Sequence, residues 1–251
     1  MTSDLELYHG LASTCSKKVR LCLYEKGLAF RSHLLNLQAL EQHSPEYLTL
    51  NPNGVVPTLV HRGEPIVESN VIIEYIDDEF PYPPLHPDDS LGRAKMRWWI
   101  QFSGDVAYAA IALPTWLKIS APVARKLSDE ELKQVLARIP TKERRERWER
   151  VARDGVLQQE IEDCYAEMER VLTKVNEAVA RGLWLAGDTY SLADIAMIPF
   201  VDRIHNLRPD LCPPERYPGV EDWYRRLKAR PAFRLAFDFK DDPKVKDLPN
   251  V

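Results

Sequence analysis

The sequence predicts an α/β domain followed by an all-α domain, and three observations carry that expectation. Short strand-like and helix-like periods alternate over the first eighty residues. Four of the eleven residues Phe80–Ser90 are proline (Pro81, Pro83, Pro84, Pro87), which cannot continue a helix. Beyond them apolar residues recur at helical spacing, and neither strand-type alternation nor an internal repeat stands out.

Each element follows in order. Leu5-Glu6-Leu7-Tyr8 alternates as a short strand. A small-residue turn (Gly10, Ala12, Ser13) leads into a helix over about Ser16–Lys26. Val19, Cys22 and Leu23 fall there at i, i+3 and i+4, and Gly27 supplies the stop. Ala29–Leu35 suits a second strand, crossing back parallel to the first. Thr58-Leu59-Val60 and Pro65-Ile66-Val67 flank His61–Glu64 as a hairpin, with Gly63 available for the turn. Glu68-Ser69-Asn70 opens a helix with Ile72, Tyr75 and Ile76 on one face. The order β-α-β-(α)-β-β-α predicts a small mixed sheet with helices packed on it, the thioredoxin-like arrangement. Residues 1–82 are assigned to this domain, 83–91 to a linker and 92–251 to the helical domain.

In the second part helices are expected over about Leu91–Leu117, Asp129–Ile139, Lys142–Lys174 in one or two pieces, from Ser191, and over Val220–Lys228. Ser128-Asp129-Glu130-Glu131 and Ser191-Leu192-Ala193-Asp194 are capping-box patterns, the second flanked by Tyr190 and Ile195 as a hydrophobic staple. Lys142–Arg153 mixes signs densely and reads as a solvated helix face. Lys240–Val251 reads as a loose terminus.

With 45% apolar and 29% charged residues, a chain of 251 residues can bury a proper core. Lysine plus arginine number 34 against 38 acidic residues, a net charge of −4 that argues against a general nucleic-acid binder. Met1–Tyr8 has no basic start followed by an apolar run, so no secretory signal is expected. No run of eighteen apolar residues predicts a membrane span, and four cysteines make no disulfide framework. The expectation is a soluble, cytoplasmic protein without a metal site.

Four features of the first domain can carry chemistry. Ser13-Thr14-Cys15-Ser16 falls between strand and helix, where backbone amides and the helix dipole favour an anion. Serine stands at both ends of that tetrad, so a dithiol–disulfide cycle lacks its sulfurs. Ser13 or Thr14 reads equally as a simple N-cap, and Cys15 as a reactive thiol or a small buried hydrophobe. In Asn51-Pro52-Asn53-Gly54-Val55-Val56-Pro57, the bond before Pro57 is a candidate for the cis isomer, which would leave the Val56 backbone free to pair with an extended peptide. Ser69 at a helix start can bind a carboxylate while Glu68 holds an ammonium, together recognising an α-amino acid. Gln42 and His43 can hydrogen-bond a second carboxylate. Singly, each has an ordinary structural explanation. Together they describe γ-glutamyl-cysteinyl-glycine.

Ser13–Arg20 (STCSKKVR) resembles the S-S-C-x-x-R-V-R element of zeta-class glutathione transferases. NPNGVVP (51–57) and Glu68-Ser69 resemble the glutathione-site motifs of the cytosolic superfamily, and YSLADI (190–195) its capping-box motif. LYEKGL (23–28), EQHS (41–44) and SDEE (128–131) are similar to segments of bacterial glutathione-dependent β-aryl etherases. The stretch 118–160 is longer than in many zeta-like relatives, which weakens transfer of their isomerase activity.

The resemblance implies the glutathione transferase fold, glutathione as co-substrate and a homodimer. It gives Ser13 the thiolate-stabilising role, Val56 the cysteinyl backbone, Pro57 the cis bond, Glu68 and Ser69 the γ-glutamyl group, and Gln42 or His43 the glycyl end. The electrophile, apolar and aromatic, is expected between the domains, where Trp98, Trp99, Phe102, Tyr108 and Trp116 cluster in sequence. Tyr108 and Trp116 are the residues assigned to the cleft. The alternatives are a zeta-like cis–trans isomerase, a non-catalytic ligand-binding protein of the same fold, and disulfide exchange through Cys15.

Overall fold

The computed structural model describes residues 4–153 and 155–247. The start of the chain, Asp154 and the last four residues of the expected loose terminus lie outside the described residues.

Strand β1 (Leu5–His9) forms where the sequence alternates, with Leu5, Leu7 and His9 buried on one face. Helix α1 (Thr14–Glu25) buries Val19, Cys22 and Leu23 on the expected face and ends at Gly27, whose φ of +64° suits glycine. Strand β2 (Arg31–Leu34) lies parallel to β1 and is shorter than expected. Helix α2 (Pro45–Leu50) is capped by Ser44. Strands β3 (Thr58–His61) and β4 (Glu64–Ile66) make the hairpin, turning through Arg62 and Gly63 at φ of +54° and +84°. The sheet order is β2-β1-β3-β4, with β3 antiparallel to both neighbours. Helix α3 (Ser69–Glu79) closes this layer.

The proline-rich stretch carries no helix or strand until α4 (Ser90–Phe102), yet it is held firmly. Fully buried Lys26 pairs with Asp77 and donates to the carbonyls of Phe80 and Pro83 at 2.7 and 2.6 Å. A π-turn at Ser103–Ala107 splits the expected long helix into α4 and α5 (Tyr108–Ile119). Short α6 (Ala121–Ala124) was not expected; α7 (Asp129–Arg138), α8 (Lys142–Ala152) and α9 (Gln158–Val179) were. Both capping boxes form, at Ser128 and Ser191. Helix α10 (Leu192–Leu207) is buried from Leu192 to Ile204 and forms the centre of the main core. There the Asp194 carboxylate accepts from the Ser191 and Leu185 amides and from Trp223 Nε1. Helices α11 (Pro218–Lys228) and α12 (Pro231–Phe237) follow, the latter unanticipated.

A second, smaller core joins Leu40 of the first domain to Ala124, Leu132, Ile139, Trp148 and Ala152. Two expectations are corrected here. Helix α8 is not simply a solvated face: Trp148, Val151 and Ala152 are buried. The tail is docked rather than loose as far as Lys244, which pairs with Glu41 at 3.2 Å. Phe239 is buried edge-on against His9, Asp241 accepts from Tyr24 Oη at 2.7 Å, and Asp242 accepts from Ser32 Oγ at 2.7 Å. That last bond orients the chain behind it: Ser32 receives the Nε2 proton of His9, whose Nδ1 receives Arg20 Nη1 at 3.0 Å. His9 is thus neutral and doubly bonded, its pKa pushed well below 6.5 by burial and by the Arg20 charge.

Candidate functional site

A cavity of about 440 Å³ opens between the two domains. Its lining includes all nine residues singled out by sequence: Ser13, Gln42, His43, Val56, Pro57, Glu68, Ser69, Tyr108 and Trp116.

Ser13 is the N-cap of α1 and accepts the Ser16 amide proton at 3.2 Å. Because the oxygen serves as acceptor there, its own proton is available to a ligand in the cavity. Thr14 and Cys15 share the lining. Ser16 does not: it is fully buried and accepts from the Gly10 amide at 3.2 Å. The loop before Ser13 is fixed from both domains. Buried Arg20 donates to the carbonyls of Gly10 and Leu11 at 3.1 and 3.0 Å, and Arg203 of α10 donates to that of Ala12 at 2.6 Å.

The Val56–Pro57 bond is cis. Its loop is held because Tyr47 Oη and Asn51 Nδ2 both donate to the Val55 carbonyl, at 2.5 and 2.9 Å. Gly54 sits at φ +60°, and a Cβ there would lie 2.7 Å from the His43 ring, so both conformation and space demand glycine. Glu68 caps α3 at φ +66°, ψ 109°, without a side-chain cap bond. A left-handed non-glycine costs about 1–2 kcal/mol, and such outliers concentrate at ligand sites. Its exposed carboxylate stands beside Ser69, the first residue of the helix.

The far wall comes from the helical domain. Tyr108, Ile111, Ala112, Thr115, Trp116 and Ile119 repeat at helical spacing along one side of α5, and Phe200 and Arg203 come from α10. Trp116 meets Trp148 edge-on at 5.8 Å. Trp98, Trp99 and Phe102 stay out of the cavity and pack on one another.

Four buried polar atoms in this lining have no partner: Gln42 Oε1, His43 Nδ1, Thr115 Oγ1 and Arg203 Nε. A buried polar atom without a bond costs about 1–3 kcal/mol, so the cavity suits a polar, extended ligand. Buried Lys18 lines it too, donating to Asn70 Oδ1 at 2.5 Å and Ser103 Oγ at 3.3 Å, its pKa drawn down to about 8 by desolvation. His43 is drawn down to about 4 by desolvation and then by the charges of Arg144 and Arg138. Burial likewise lowers Arg203.

Sequence reading missed Lys18, Thr115, Arg144, Trp148 and Arg203. For two of them a signal existed: Arg144, Trp148, Val151 and Ala152 fall at i, i+4, i+7 and i+8, one helix face hidden among charges.

An α/β sheet domain with this N-capped serine and cis-proline loop, joined to a helical domain that completes the cleft, defines a thiol-tripeptide-dependent class of protein. The chain belongs to the glutathione S-transferase family. Residues 12–79 match its N-terminal domain and residues 158–226 its C-terminal domain. Protein LigF of Sphingobium sp. strain SYK-6 is 32% identical over 242 residues, covering 93% of each chain. The crystal structure described as beta-etherase LigF from that strain superimposes with a TM-score of 0.89 at 31% identity, over 96% of this chain and 100% of that one. Maleylacetoacetate isomerase of Mus musculus is 27% identical over 232 residues, covering 92% of this chain and 90% of its own.

Proposed function

We propose that the protein catalyses attack of the glutathione sulfur on an apolar aromatic electrophile, with β-aryl ether cleavage as the favoured reaction. The observation that carries this reading is the convergence of nine sequence-selected residues on one cavity, with the Ser13 hydroxyl where the two domains meet. Residues 1–82 hold the tripeptide, residues 83–91 link, and the domain from residue 92 supplies the electrophile wall. Glu68 and Ser69 take the γ-glutamyl ammonium and carboxylate, Val56 pairs with the cysteinyl backbone beside Pro57, and Gln42 and His43 meet the glycyl end.

Serine is no base at neutral pH, so Ser13 donates to the thiolate rather than removing its proton. A free thiol titrates near 8.5, and a hydrogen bond to a charged acceptor contributes roughly 1.5–3 kcal/mol. At about 1.36 kcal/mol per pKa unit, that donor and the α1 N-terminus bring the bound thiol to about 6.5–7.5. The thiolate then attacks the carbon bearing the aryloxy group. The C–S bond forms as the C–O bond breaks, and the phenolate leaves with the electron pair and takes a proton from water. Tyr108 and Trp116 wall the aromatic part, and the similarity to LigF favours an aryl ether.

The test is a panel of aryl ethers and haloaromatics incubated with glutathione and read by mass spectrometry. A thioether adduct plus free phenol is expected, and no adduct across the panel overturns the reading. The similarity to maleylacetoacetate isomerases supports a second reading, glutathione-dependent cis–trans isomerisation, which product analysis on a maleyl substrate separates. Loss of activity in Cys15→Ala but not Ser13→Ala would instead indicate disulfide exchange.

Exposed Val71 on α3, Tyr82 in the proline-rich stretch, and Leu91 and Trp98 on α4 support burial in a homodimer. Light scattering on Trp98→Glu, expected to be monomeric, tests it. No described helix is long and apolar enough to cross a membrane. All four cysteines are unpaired, which supports a reducing, cytoplasmic setting.

A further inference from the structure

Glutathione brings two carboxylates. On the reading above, Ser69 and the α3 amides take one. The other falls to Gln42 and His43, and neither offers a positive charge: glutamine is neutral, and His43 is held unprotonated by burial and by the arginines facing it. A cation at that end would complement the second carboxylate, and α8 places Arg144 in the cavity lining.

The segment 142–153 contains six cations, and five are engaged. Lys142 pairs with Glu146 at 3.6 Å. Arg145 donates to the carbonyls of Ile139 and Pro140 at 2.7 and 3.0 Å. Arg147 lies over the Trp116 ring at 5.5 Å. Arg150 pairs with Glu160 and Arg153 with Asp129. Arg144 alone of the six has no hydrogen bond, ion pair or ring contact among the described residues, although it is half-buried, lines the cavity and lies close enough to His43 for its charge to be felt there. An arginine whose backbone is fixed and whose guanidinium has no partner, in the lining of a cavity that also holds the orphaned Gln42 Oε1 and His43 Nδ1, is arranged for an anionic ligand group.

Its placement is rigid. Arg138 Nη2 donates to the Leu40 carbonyl at 3.1 Å, Leu40 is buried with Ile139 and Trp148, and Pro140 packs over Gly54. The α7–α8 connection is therefore seated on the loop that carries Gln42 and His43.

We propose that Arg144 binds the glycyl carboxylate of glutathione, so that a helix of the second domain selects thiols bearing that carboxylate. The proposal rests on the glutathione reading above. Calorimetric titration of the full chain with glutathione and with its glycyl monoethyl ester tests it. Wild type is expected to bind glutathione about tenfold more tightly than the ester, the scale of one charge-assisted hydrogen bond. Arg144→Gln weakens glutathione about tenfold and binds the ester as wild type does, so the preference vanishes; Arg144→Lys recovers part of it. Lys142→Gln, the same charge change two residues away, keeps the preference. An Arg144→Gln protein that retains the wild-type preference, or loses both ligands equally, overturns the assignment. A wild-type protein that binds neither thiol overturns the underlying glutathione reading, which that arm alone reveals.

Discussion

Replacing Ser13 with alanine removes a hydroxyl that caps a helix and that we propose also holds the thiolate. As acceptor from the Ser16 amide it caps α1. Losing such a cap costs about 1 kcal/mol, which in a chain of this size lowers Tm by roughly 2–4 °C. In the proposed role, as donor to the thiolate, it would contribute roughly 1.5–3 kcal/mol, equivalent to about one to two pKa units. A bound thiol titrating near 7 then moves to about 8–9, and the thiolate fraction near pH 7 falls roughly five- to fiftyfold. The expected result is a kcat loss of that size near neutrality with glutathione affinity nearly intact, recovering as the pH rises toward about 9.5. Ser13→Thr, which restores hydroxyl and cap, regains most of it. The assay is kcat against pH for both variants with one aryl ether. Unchanged kcat near pH 7 would refute the assignment and move the role to Thr14 or Cys15, which share the lining. A loss equally large at high pH would refute the ionisation argument and leave Ser13 an orienting role.

Ser69→Ala is expected to raise the glutathione KM about tenfold with a much smaller change in kcat, measured at saturating electrophile, since a carboxylate contact on this scale is lost. Trp116→Ala is expected to raise the KM for an aromatic electrophile several-fold while calorimetry shows unchanged glutathione binding, because Trp116 lines only the helical wall. His9 titrates far below its unfolded value near 6.5, so its contribution to stability is present above that pH and is lost as the pH falls toward the folded pKa. Urea midpoints between about pH 7 and 5 should therefore drop more in wild type than in His9→Asn; equal slopes would show that His9 is not the group responsible.

The candidate site's first-domain half was legible because each feature there is local. A serine at a helix start, the Asn51–Pro57 run and Glu68-Ser69 before a helix each fix their own backbone within a few residues, and the fold only had to bring them together. The same locality explains the success with the capping boxes. What stayed hidden depends on distant partners. Phe239 stands between Asp238 and Lys240, and the tail is docked by its seat against His9, 230 positions earlier, and by bonds to Tyr24 and Ser32, comparably distant in sequence. The 91–117 pattern reads as one helix because a π-turn at Ser103–Ala107 changes the phase without breaking the chain. Helix α8 hid its inner face because charges on neighbouring positions swamp the apolar period of Trp148, Val151 and Ala152.

The charges around the cavity bound how much any one side chain can do. Lys18 is buried with only neutral hydrogen-bond partners, Asn70 and Ser103, and its pKa is drawn down to about 8 by desolvation. Arg203 is buried with its Nε unpaired. Both line the cavity, and the one acidic side chain of that lining, Glu68, is exposed. Two buried cations with unmet demand make the site positive before any ligand enters, so an anionic sulfur placed there relieves a cost the folded protein already bears. A thiolate bound beside Lys18 would by linkage raise the Lys18 pKa as Lys18 lowers that of the thiol. On the proposed reading Ser13 would act on top of a field built by α1 and α10 together. That is why its removal is expected to cost roughly five- to fiftyfold rather than all of the turnover, and why the grip on the carbonyls of Leu11 and Ala12 from both domains matters: a single donor hydrogen bond is worth its full value only if the oxygen that makes it cannot drift.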